Sequence, residues 1–237
     1  MAFPGVEIDV YADGANTADM LKRYREGKVS GFTTNPTLMA KAGIRNYEAF
    51  ALEVLAEIKT MPISFEVFSD EFPEMYRQAL KISSWGPNVN VKIPITNTRG
   101  ESSLPLIKDL FAAGLKLNVT AILAEQQIID LHGVLKPADD AIVSVFAGRI
   151  ADTGVDPCPI MARAVALYRD LPKAKILWAS PREVINIYQA EACGCHIITA
   201  VHDLLSKIAL RGKSLADYSL DTVKMFHRDA NSAGFSL

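Results

Sequence analysis

Cysteine is scarce in this chain of 237 residues, which contains 3 of them, Cys158, Cys193 and Cys195. An odd and small number of cysteines excludes a disulfide framework. Two of them stand with His196 in the segment CGCH, which lacks the paired ligand spacing of a structural zinc site. We therefore predict structural thiols and no metal ion or other cofactor.

The sequence also lacks a surplus of charge, a long apolar run and nucleotide-binding motifs. Its formal net charge is −2, so no electrostatic field favours nucleic acid. No apolar run reaches the roughly 18 residues of a membrane-spanning helix. The N-terminal segment MAFPGVEIDV lacks the features of a secretion signal, and neither GxGxxG after the first strand nor GxxxxGKS/T occurs. We expect a cytoplasmic protein that binds neither nucleic acid nor membranes.

What the chain does have is a regular alternation of short apolar strands and amphipathic helices. The predicted strands are residues 6–13, 31–35, 62–68, 89–95, 115–120, 141–146, 174–180 and 196–200. The predicted helices between and after them are residues 17–26, 46–59, 70–82, 102–113, 124–131, 159–170, 181–191 and 201–210. Eight such units with short connections favour a closed (β/α)8 TIM barrel over an open doubly wound sheet. We place residues 1–237 in a single barrel domain.

Residues 211–237 are left over from the eight units. Leu220, Val223, Phe226 and Ala230 lie at helical spacing there, which predicts a C-terminal helical extension with an apolar face. That face can pack on its own barrel or on a neighbouring subunit, and the sequence leaves both open.

One predicted strand contains an unexpected lysine. In NVNVKIPIT (88–96), valine and isoleucine alternate on one face, while Asn90, Lys92 and Pro94 share the other. Lysine is rarely buried without a partner. The strand is therefore either an exposed edge or a strand whose second face points into a polar pocket.

Polar side chains recur at the C-terminal ends of the predicted strands and in the loops that follow, where barrel enzymes carry their catalytic residues. They are Asp13, Thr33, Thr34, Asn35, Glu66, Lys92, Asn118, Thr120, Ser144, Ser180 and Arg182. Because a buried polar group without a partner costs a few kcal/mol (about 2 or more), a shared pocket is the simplest explanation for all of them.

A lysine in such a pocket predicts Schiff-base chemistry. Burial disfavours an ammonium ion, and a neutral amine can attack a carbonyl carbon. A neighbouring carboxylate, Asp13 or Glu66, can move protons as a general acid and base. Asparagine and threonine side chains can hold sugar hydroxyls, and Arg149 and Arg182 can hold an anionic end group such as phosphate.

Each residue also has a purely structural interpretation. Asp13 can cap the helix that begins near Asn16, and Glu66 can serve only as the ion-pair partner of Lys92. The segment 33–35 can form a turn and a helix N-cap, and Ser180-Pro181-Arg182 can start a helix. These interpretations together leave the convergence of the residues on one rim unexplained.

Several motifs resemble the transaldolase family, in particular its short transaldolase and fructose-6-phosphate aldolase group. GFTTNPTLMAKAG (31–43) is similar to the family's signature, and VNVKIPIT (89–96) to its Schiff-base lysine strand. The resemblance extends over essentially the whole chain through LNVTAILAEQQ (117–127), VSVFAGRI (143–150), WASPREV (178–184) and the C-terminal tail.

The resemblance implies a role for each of these positions. Lys92 forms the Schiff base with a ketose donor, Asp13 is the acid/base at the C4 hydroxyl, and Glu66 with Thr120 orients a catalytic water. The substrate-binding residues are Thr33, Asn35, Asn118 and Ser144 for the dihydroxyacetone part, Arg149, Ser180 and Arg182 for the phosphate, together with Phe146. The family uses no cofactor or metal, acts on sugar phosphates, and its short members form homo-oligomeric rings in which the last helix reaches a neighbour.

Two outcomes are open within the family. A transaldolase hands the three-carbon unit to an aldose, as in the pentose phosphate pathway, whereas a fructose-6-phosphate aldolase releases free dihydroxyacetone. Glu66, Phe146 and the absence of a tyrosine near Thr120 match the transaldolase side. Pro181 and Trp178 depart from the expected phosphate motif, which leaves room for a modified acceptor such as a sulfonated sugar. A non-catalytic phosphosugar-binding barrel is the remaining alternative.

Overall fold

Eight parallel strands close into a barrel in the chain order β1 to β8 in the computed structural model, which describes residues 3 and 5–236. The strands are β1 Asp9–Asp13, β2 Gly31–Thr33, β3 Ile63–Glu66, β4 Val89–Pro94, β5 Leu117–Ile122, β6 Ala141–Val145, β7 Ala174–Trp178 and β8 Ile197–Val201. The predicted (β/α)8 barrel is confirmed, and the open doubly wound sheet is excluded.

Helices follow the strands along the chain. They are α1 Thr17–Glu26, α2 Pro36–Lys41, α3 Tyr47–Glu57, α4 Phe72–Ser83, α5 Leu104–Ala112, α6 Glu125–His132, α7 Ala147–Asp152, α8 Cys158–Leu167, α9 Ile185–Ala192, α10 His202–Lys207 and α11 Leu215–Ser232. Single 3-10 turns at Tyr168–Asp170 and Ile208–Leu210 extend α8 and α10. Among the described residues, no helix has both the length and the apolar composition needed to cross a membrane.

Two short helices, α2 and α7, were not predicted from the sequence. The Asn35 side chain caps α2 by accepting a hydrogen bond from the backbone N–H of Leu38, and Pro36 occupies the first position of the helix. This local capping ends β2 at Thr33 and explains why the strand is shorter than predicted.

The chain forms two compact units, Met1–Leu205 and Ser206–Leu237. The first contains the barrel strands, and the second contains α11, an 18-residue helix with no buried side chain. Ser214 caps α11 by accepting from the Asp217 N–H. The predicted helix in the C-terminal extension is confirmed, whereas the assignment of one domain to residues 1–237 stays a prediction.

The register of the strands decides which side chains enter the barrel. Glu66 of β3 is paired with Lys92 of β4, which is paired in turn with Asn118 of β5. Laterally paired residues of parallel strands point to the same face of the sheet, and these three point to the interior. Val91 and Ile93 lie on the outer face and are fully buried. A closed barrel has no edge strand, so the inward-facing interpretation of Lys92 is the correct one.

Strand β5 continues past its predicted end through a bulge. Ala121 has φ of 60°, and the pairing with β6 shifts between Val119 and Ile122. A bulge bends a strand and changes the direction of the side chains beside it. In this barrel the irregularity directly follows Thr120, at the end of the strand where polar residues collect.

Gly148 in α7 marks a close approach between two segments of the barrel rim. A Cβ atom at position 148 would lie 1.5 Å from the carbonyl oxygen of Ser180. Ser180 itself has φ of 59°, in the left-handed region that few residues other than glycine adopt. The loop after β7 can therefore take this path only because residue 148 has no side chain.

We predict that Gly148→Ala lowers the free energy of unfolding by about 1–3 kcal/mol, the range for overpacking a filled site. Urea denaturation monitored by circular dichroism measures the change. Gly133→Ala is the matched control, because a Cβ there meets its nearest atom at an ordinary 3.5 Å. Equal stability of the two variants would show that the Ser180 loop moves away at no cost.

Candidate active site

A cavity of about 80 Å³ opens at the C-terminal ends of the barrel strands. Its lining contains most of the residues that the sequence predicted for the site. The lining residues are Asp13, Thr33, Asn35, Lys92, Thr120, Ser144, Phe146, Arg149, Ala179, Ser180 and Thr199. Of the remaining predicted residues, Glu66 and Asn118 contact lining residues, and Arg182 points elsewhere.

Lys92 lies inside the barrel with 6% of its surface exposed. Its Nζ is 3.2 Å from Oε2 of Glu66 and donates a hydrogen bond of 3.1 Å to the backbone carbonyl of Thr34. The amine is thus held between β2 and β3, with its remaining side open to the cavity. A buried ion pair needs such additional hydrogen bonds to offset the loss of hydration.

Asp13 is held by a short chain of hydroxyl groups. The Thr33 hydroxyl donates to Oδ1 of Asp13 at 2.7 Å, and the Thr33 and Thr199 hydroxyl oxygens are 2.6 Å apart. Because a hydroxyl has one proton and that of Thr33 goes to the carboxylate, Thr199 is the donor to Thr33. The chain fixes the carboxylate beside the cavity, and Asp13 does not cap α1, since Asn16 does.

Burial raises the pKa of Asp13, and this effect exceeds the opposing attraction of Lys92 and the Thr33 hydrogen bond. A carboxyl group whose pKa is raised holds its proton more readily than a free one and can both accept and return a proton during a reaction. The environment of Asp13 therefore suits a general acid and base.

Asn118 supports the site from behind the lining. Its amide donates to the Ser64 hydroxyl at 3.0 Å, and its carbonyl oxygen accepts from the Ser144 hydroxyl at 2.6 Å. The side chain is fully buried, so its two partners fix which way the amide faces. Ser144 is the member of this network that reaches the cavity.

The Thr120 hydroxyl is buried and has no hydrogen-bond partner among the residues that the structure describes. Buried hydroxyl groups nearly always have a partner, either protein or ordered water. Since Thr120 lines the cavity, its hydroxyl is available to a substrate hydroxyl or to a water molecule.

The two predicted anion-binding arginines differ in their surroundings. Arg149 lines the cavity, with its guanidinium carbon 5.1 Å from the centre of the Phe146 ring. Arg182 pairs with Asp152 of α7, with its Nε 3.1 Å from both carboxylate oxygens. This contact holds the pKa of Asp152 below its ordinary value. Arg149 is therefore the arginine that lines the cavity in this structure, and we call the part lined by Phe146, Arg149 and Ser180 its distal end.

Pro181 does not start a helix, because α9 begins only at Ile185. The backbone N–H groups of Arg182 and Glu183 both donate to Oδ1 of Asn186, at 2.7 and 2.9 Å. The segment after Ser180 is therefore a loop, and the predicted helix start at residue 181 is wrong.

Sequence reasoning missed several parts of the site. Thr199 is the one polar residue of β8 and points into the cavity, as the polar residues of other strands do. The Tyr47 hydroxyl donates to the carbonyl of Glu66 at 2.9 Å, but a tyrosine in the first turn of α3 carries no sequence signal for this contact. The carbonyl of Thr34 is a backbone group that no residue pattern identifies.

The three thiols lie apart from the cavity lining. Cys195 is buried, and Cys158 and Cys193 are partly buried. Burial raises the pKa of Cys195 to about 12, so it is an unreactive thiol. Within residues 3 and 5–236, no group of three histidine, cysteine, aspartate or glutamate side chains is arranged to hold a metal ion.

Comparison with known proteins identifies the family. Residues 10–237 match the family described as Transaldolase/Fructose-6-phosphate aldolase. A probable transaldolase of Dehalococcoides mccartyi is 34% identical over 200 residues, which is 84% of this chain and 89% of that protein. A probable transaldolase of Carboxydothermus hydrogenoformans is 31% identical over 202 residues, covering 85% and 90% of the two chains.

Solved structures support the fold. The crystal structure of dihydrodipicolinate synthase from Rhodopseudomonas palustris superposes with a TM-score of 0.60 at 13% identity, covering 86% of this chain and 74% of that one. At this identity the likeness concerns the barrel alone. The family match over the barrel and the extension, together with relatives above 30% identity, establishes that the chain belongs to the transaldolase/fructose-6-phosphate aldolase family.

Proposed function

We propose that the protein is a Schiff-base transaldolase that transfers a dihydroxyacetone unit from a ketose phosphate, such as fructose 6-phosphate, to an aldose acceptor. The observation that carries the proposal is the buried amine of Lys92, which faces the cavity and is held by Glu66 and the Thr34 carbonyl. A nucleophilic lysine needs shelter from water and a carboxylate that can exchange protons with it. Lys92 has both, because it is buried and the carboxylate of Glu66 lies beside its amine.

The reaction begins when Lys92 passes a proton to Glu66 and its amine attacks the C2 carbonyl of the ketose. Water leaves, and the imine on Lys92 withdraws electrons from the C3–C4 bond. Asp13 takes the proton of the C4 hydroxyl as that bond breaks, and the aldose phosphate departs. The enamine left on Lys92 attacks the carbonyl of a second aldose, Asp13 returns the proton to the new hydroxyl, and water hydrolyses the imine.

The remaining residues are assigned to substrate and water. Glu66 and the unpartnered Thr120 hydroxyl orient the water that adds to the imine. Thr33, Asn35 and Ser144 face the three-carbon unit, with Asn118 holding Ser144 in place. Arg149, Phe146 and Ser180 face the end group of the aldose, and Arg182 joins them when it separates from Asp152.

The pairing of Arg182 with Asp152 also favours a second class of acceptor. With one arginine facing the cavity, the distal end suits an end group with one negative charge, such as a sulfonate, as well as a phosphate. The pentose phosphate pathway and a cytoplasmic location stay predictions that follow from the family alone.

We predict that sodium borohydride, added in the presence of fructose 6-phosphate, traps the substrate on Lys92 and inactivates the enzyme. Peptide mass spectrometry locates the modified residue. Lys92→Met removes labelling and activity, whereas Lys108→Met, at an exposed position of α5, retains both. A labelled peptide without Lys92, or no label on the folded protein, would refute the mechanism.

Product analysis with the same enzyme shows whether the dihydroxyacetone unit is transferred to an acceptor or released. With fructose 6-phosphate alone, a transaldolase releases little free dihydroxyacetone, and an added phosphorylated, sulfonated or free aldose accelerates turnover to the extent that it fits the distal end. Rapid release that no acceptor changes would identify a fructose-6-phosphate aldolase instead. Saturable binding without turnover or imine would indicate a non-catalytic barrel.

We predict opposite effects of Asp13→Asn on activity and stability. Activity falls by about 10²-fold or more, since the acid and base is lost. Because the folded pKa of Asp13 is raised, its ionisation opposes folding at neutral pH. The variant is therefore more stable than the native protein at pH 7, and the difference disappears as the pH falls below about 4, where the unfolded carboxyl is also protonated.

Asp152→Asn is the control, for which we expect the opposite change in stability at pH 7. Its pKa is lowered by Arg182 in the folded state, so its ionisation contributes stability at neutral pH that is lost in acid. Thermal unfolding of both variants is measured between about pH 3 and pH 8, a range that includes the pKa of about 4 of free aspartate. A decrease of stability at pH 7 for Asp13→Asn would contradict the raised pKa.

We also propose that the protein is a homo-oligomer in which α11 contacts a second copy, as the ring assembly implied by the family resemblance requires. Leu220, Val223 and Phe226 lie on one side of α11 and are 50%, 59% and 63% exposed. Exposed apolar stripes of this kind mark protein contacts.

We predict that Val223→Asp with Phe226→Asp reduces the molar mass measured by size-exclusion chromatography with light scattering, because buried charges without partners destabilise an interface. Arg228→Gln, on the other side of α11, is the control and leaves the mass unchanged. A native protein of monomer mass, or a variant of native mass, would contradict the role of α11.

A further inference from the structure

A second and larger cavity lies at the opposite end of the barrel from the candidate active site. Its volume is about 660 Å³. Its lining comes from segments just before or at the start of strands β3 to β7, such as Pro62, Asn88, Lys116, Asp140 and Lys173. Since all strands are parallel, these segments share the N-terminal mouth of the barrel. We call this space the basal cavity.

The floor of the basal cavity, the part of its lining buried inside the barrel, contains two polar side chains beside the apolar Ile142. Tyr11 of β1 and Asn90 of β4 line it and are only 3% and 5% exposed. The Tyr11 ring occupies the space next to Gly31, where a Cβ would lie 2.5 Å from the ring. Gly31 therefore allows the aromatic ring to fill the barrel and to place its hydroxyl at the floor.

Neither floor side chain forms a hydrogen bond within the described part of the chain. The Tyr11 hydroxyl and the Asn90 amide are not among the fully buried side-chain atoms that lack a partner, so both face the open cavity, where water or a ligand can satisfy them. Burial, reinforced by the charges of Asp9 and Asp140, raises the pKa of Tyr11. The hydroxyl is therefore protonated and able to donate.

The rim of the basal cavity is rich in lysine. Four lysines line it, Lys59, Lys116, Lys173 and Lys175. Lys175 lies 3.5 Å from Oδ2 of Asp9, and Lys116 donates to the carbonyl of Pro87 at 3.0 Å. Lys59 and Lys173 have no carboxylate within 4.0 Å among residues 3 and 5–236.

Positive charge therefore exceeds negative charge at this mouth. The carboxylates that oppose the four lysines are Asp140 in the lining and Asp9 beside Lys175. This local excess contrasts with the net charge of −2 for the whole chain. A concave site lined by charge of one sign concentrates ligands of the opposite sign.

We propose that the basal cavity binds a small polyanion with two or more negative charges, whose anionic groups contact the rim lysines and whose remaining oxygens contact Tyr11 and Asn90. The cavity volume lies within the range of about 300–1,000 Å³ that small-molecule sites occupy. Phosphate and carboxylate groups share this chemistry, and the experiment distinguishes them. The proposal uses none of the residues around Lys92 and stands independently of the proposed reaction.

Isothermal titration calorimetry with pyrophosphate and, separately, with citrate tests the proposal. We expect the folded native protein to bind at least one of the two, and the better ligand identifies the anionic group. The double variant Lys59→Gln/Lys173→Gln weakens binding by about tenfold or more, and Tyr11→Phe weakens it severalfold, as loss of hydrogen bonds to a charged ligand does. Both changes keep the shape of the side chains, and thermal melts confirm folding.

Arg149→Gln tests whether the anion binds in the candidate active-site cavity instead of the basal cavity. It retains native affinity for the anion if the basal cavity is the site, because Arg149 lines the cavity at the other end and not the basal cavity. Loss of binding in Arg149→Gln with native affinity in the lysine variant would overturn the proposal. No binding of either anion up to about 1 mM, or equal affinity in all variants, would overturn it as well.

Discussion

The structure depends on one constraint: the interior of a closed barrel of parallel strands hydrates its side chains poorly, so charged side chains placed there need partners, as do most neutral polar ones. Lys92 meets this requirement through Glu66 on the adjacent strand and the carbonyl of Thr34. Asp13 meets it through Thr33, and Asn118 through Ser64 and Ser144. The same network that satisfies these groups also fixes their positions, so their burial and the geometry of the candidate site have a common cause.

The barrel and the inward direction of Lys92 were predictable because both follow from regular periodicity. Strand–helix alternation gave the eight strands, and the period of two in β4 placed Lys92 opposite the valine and isoleucine side chains. The parts that were not predictable depend on contacts between distant segments. Nothing in the sequence near Arg182 indicates Asp152 as its partner, and the bulge at Ala121 has no glycine to mark it. Short helices such as α2 arise from single capping residues that also suit a turn.

The two ends of the barrel use polar residues differently. At the C-terminal end the buried polar groups other than the Thr120 hydroxyl are paired with one another around a cavity of about 80 Å³. At the N-terminal end Tyr11 and Asn90 are buried beneath a cavity of about 660 Å³ with lysines around it. A packed apolar core usually separates the ends of such barrels. Here Ile142, Leu177 and Ile197 form that core with the ring of Tyr11, so a single tyrosine belongs to both the core and the basal mouth.

The hydroxyl contact between Thr33 and Thr199 joins residues 166 positions apart in the chain. Thr199 is on the last strand, which closes the barrel against the first one. A nascent polypeptide that has left the ribosome as far as β7 therefore contains Lys92, Glu66 and Asp13, yet lacks the hydroxyl that completes the orientation of the aspartate. Closure of the barrel and completion of this hydroxyl chain therefore require the same strand, which is the last of the eight to be synthesised.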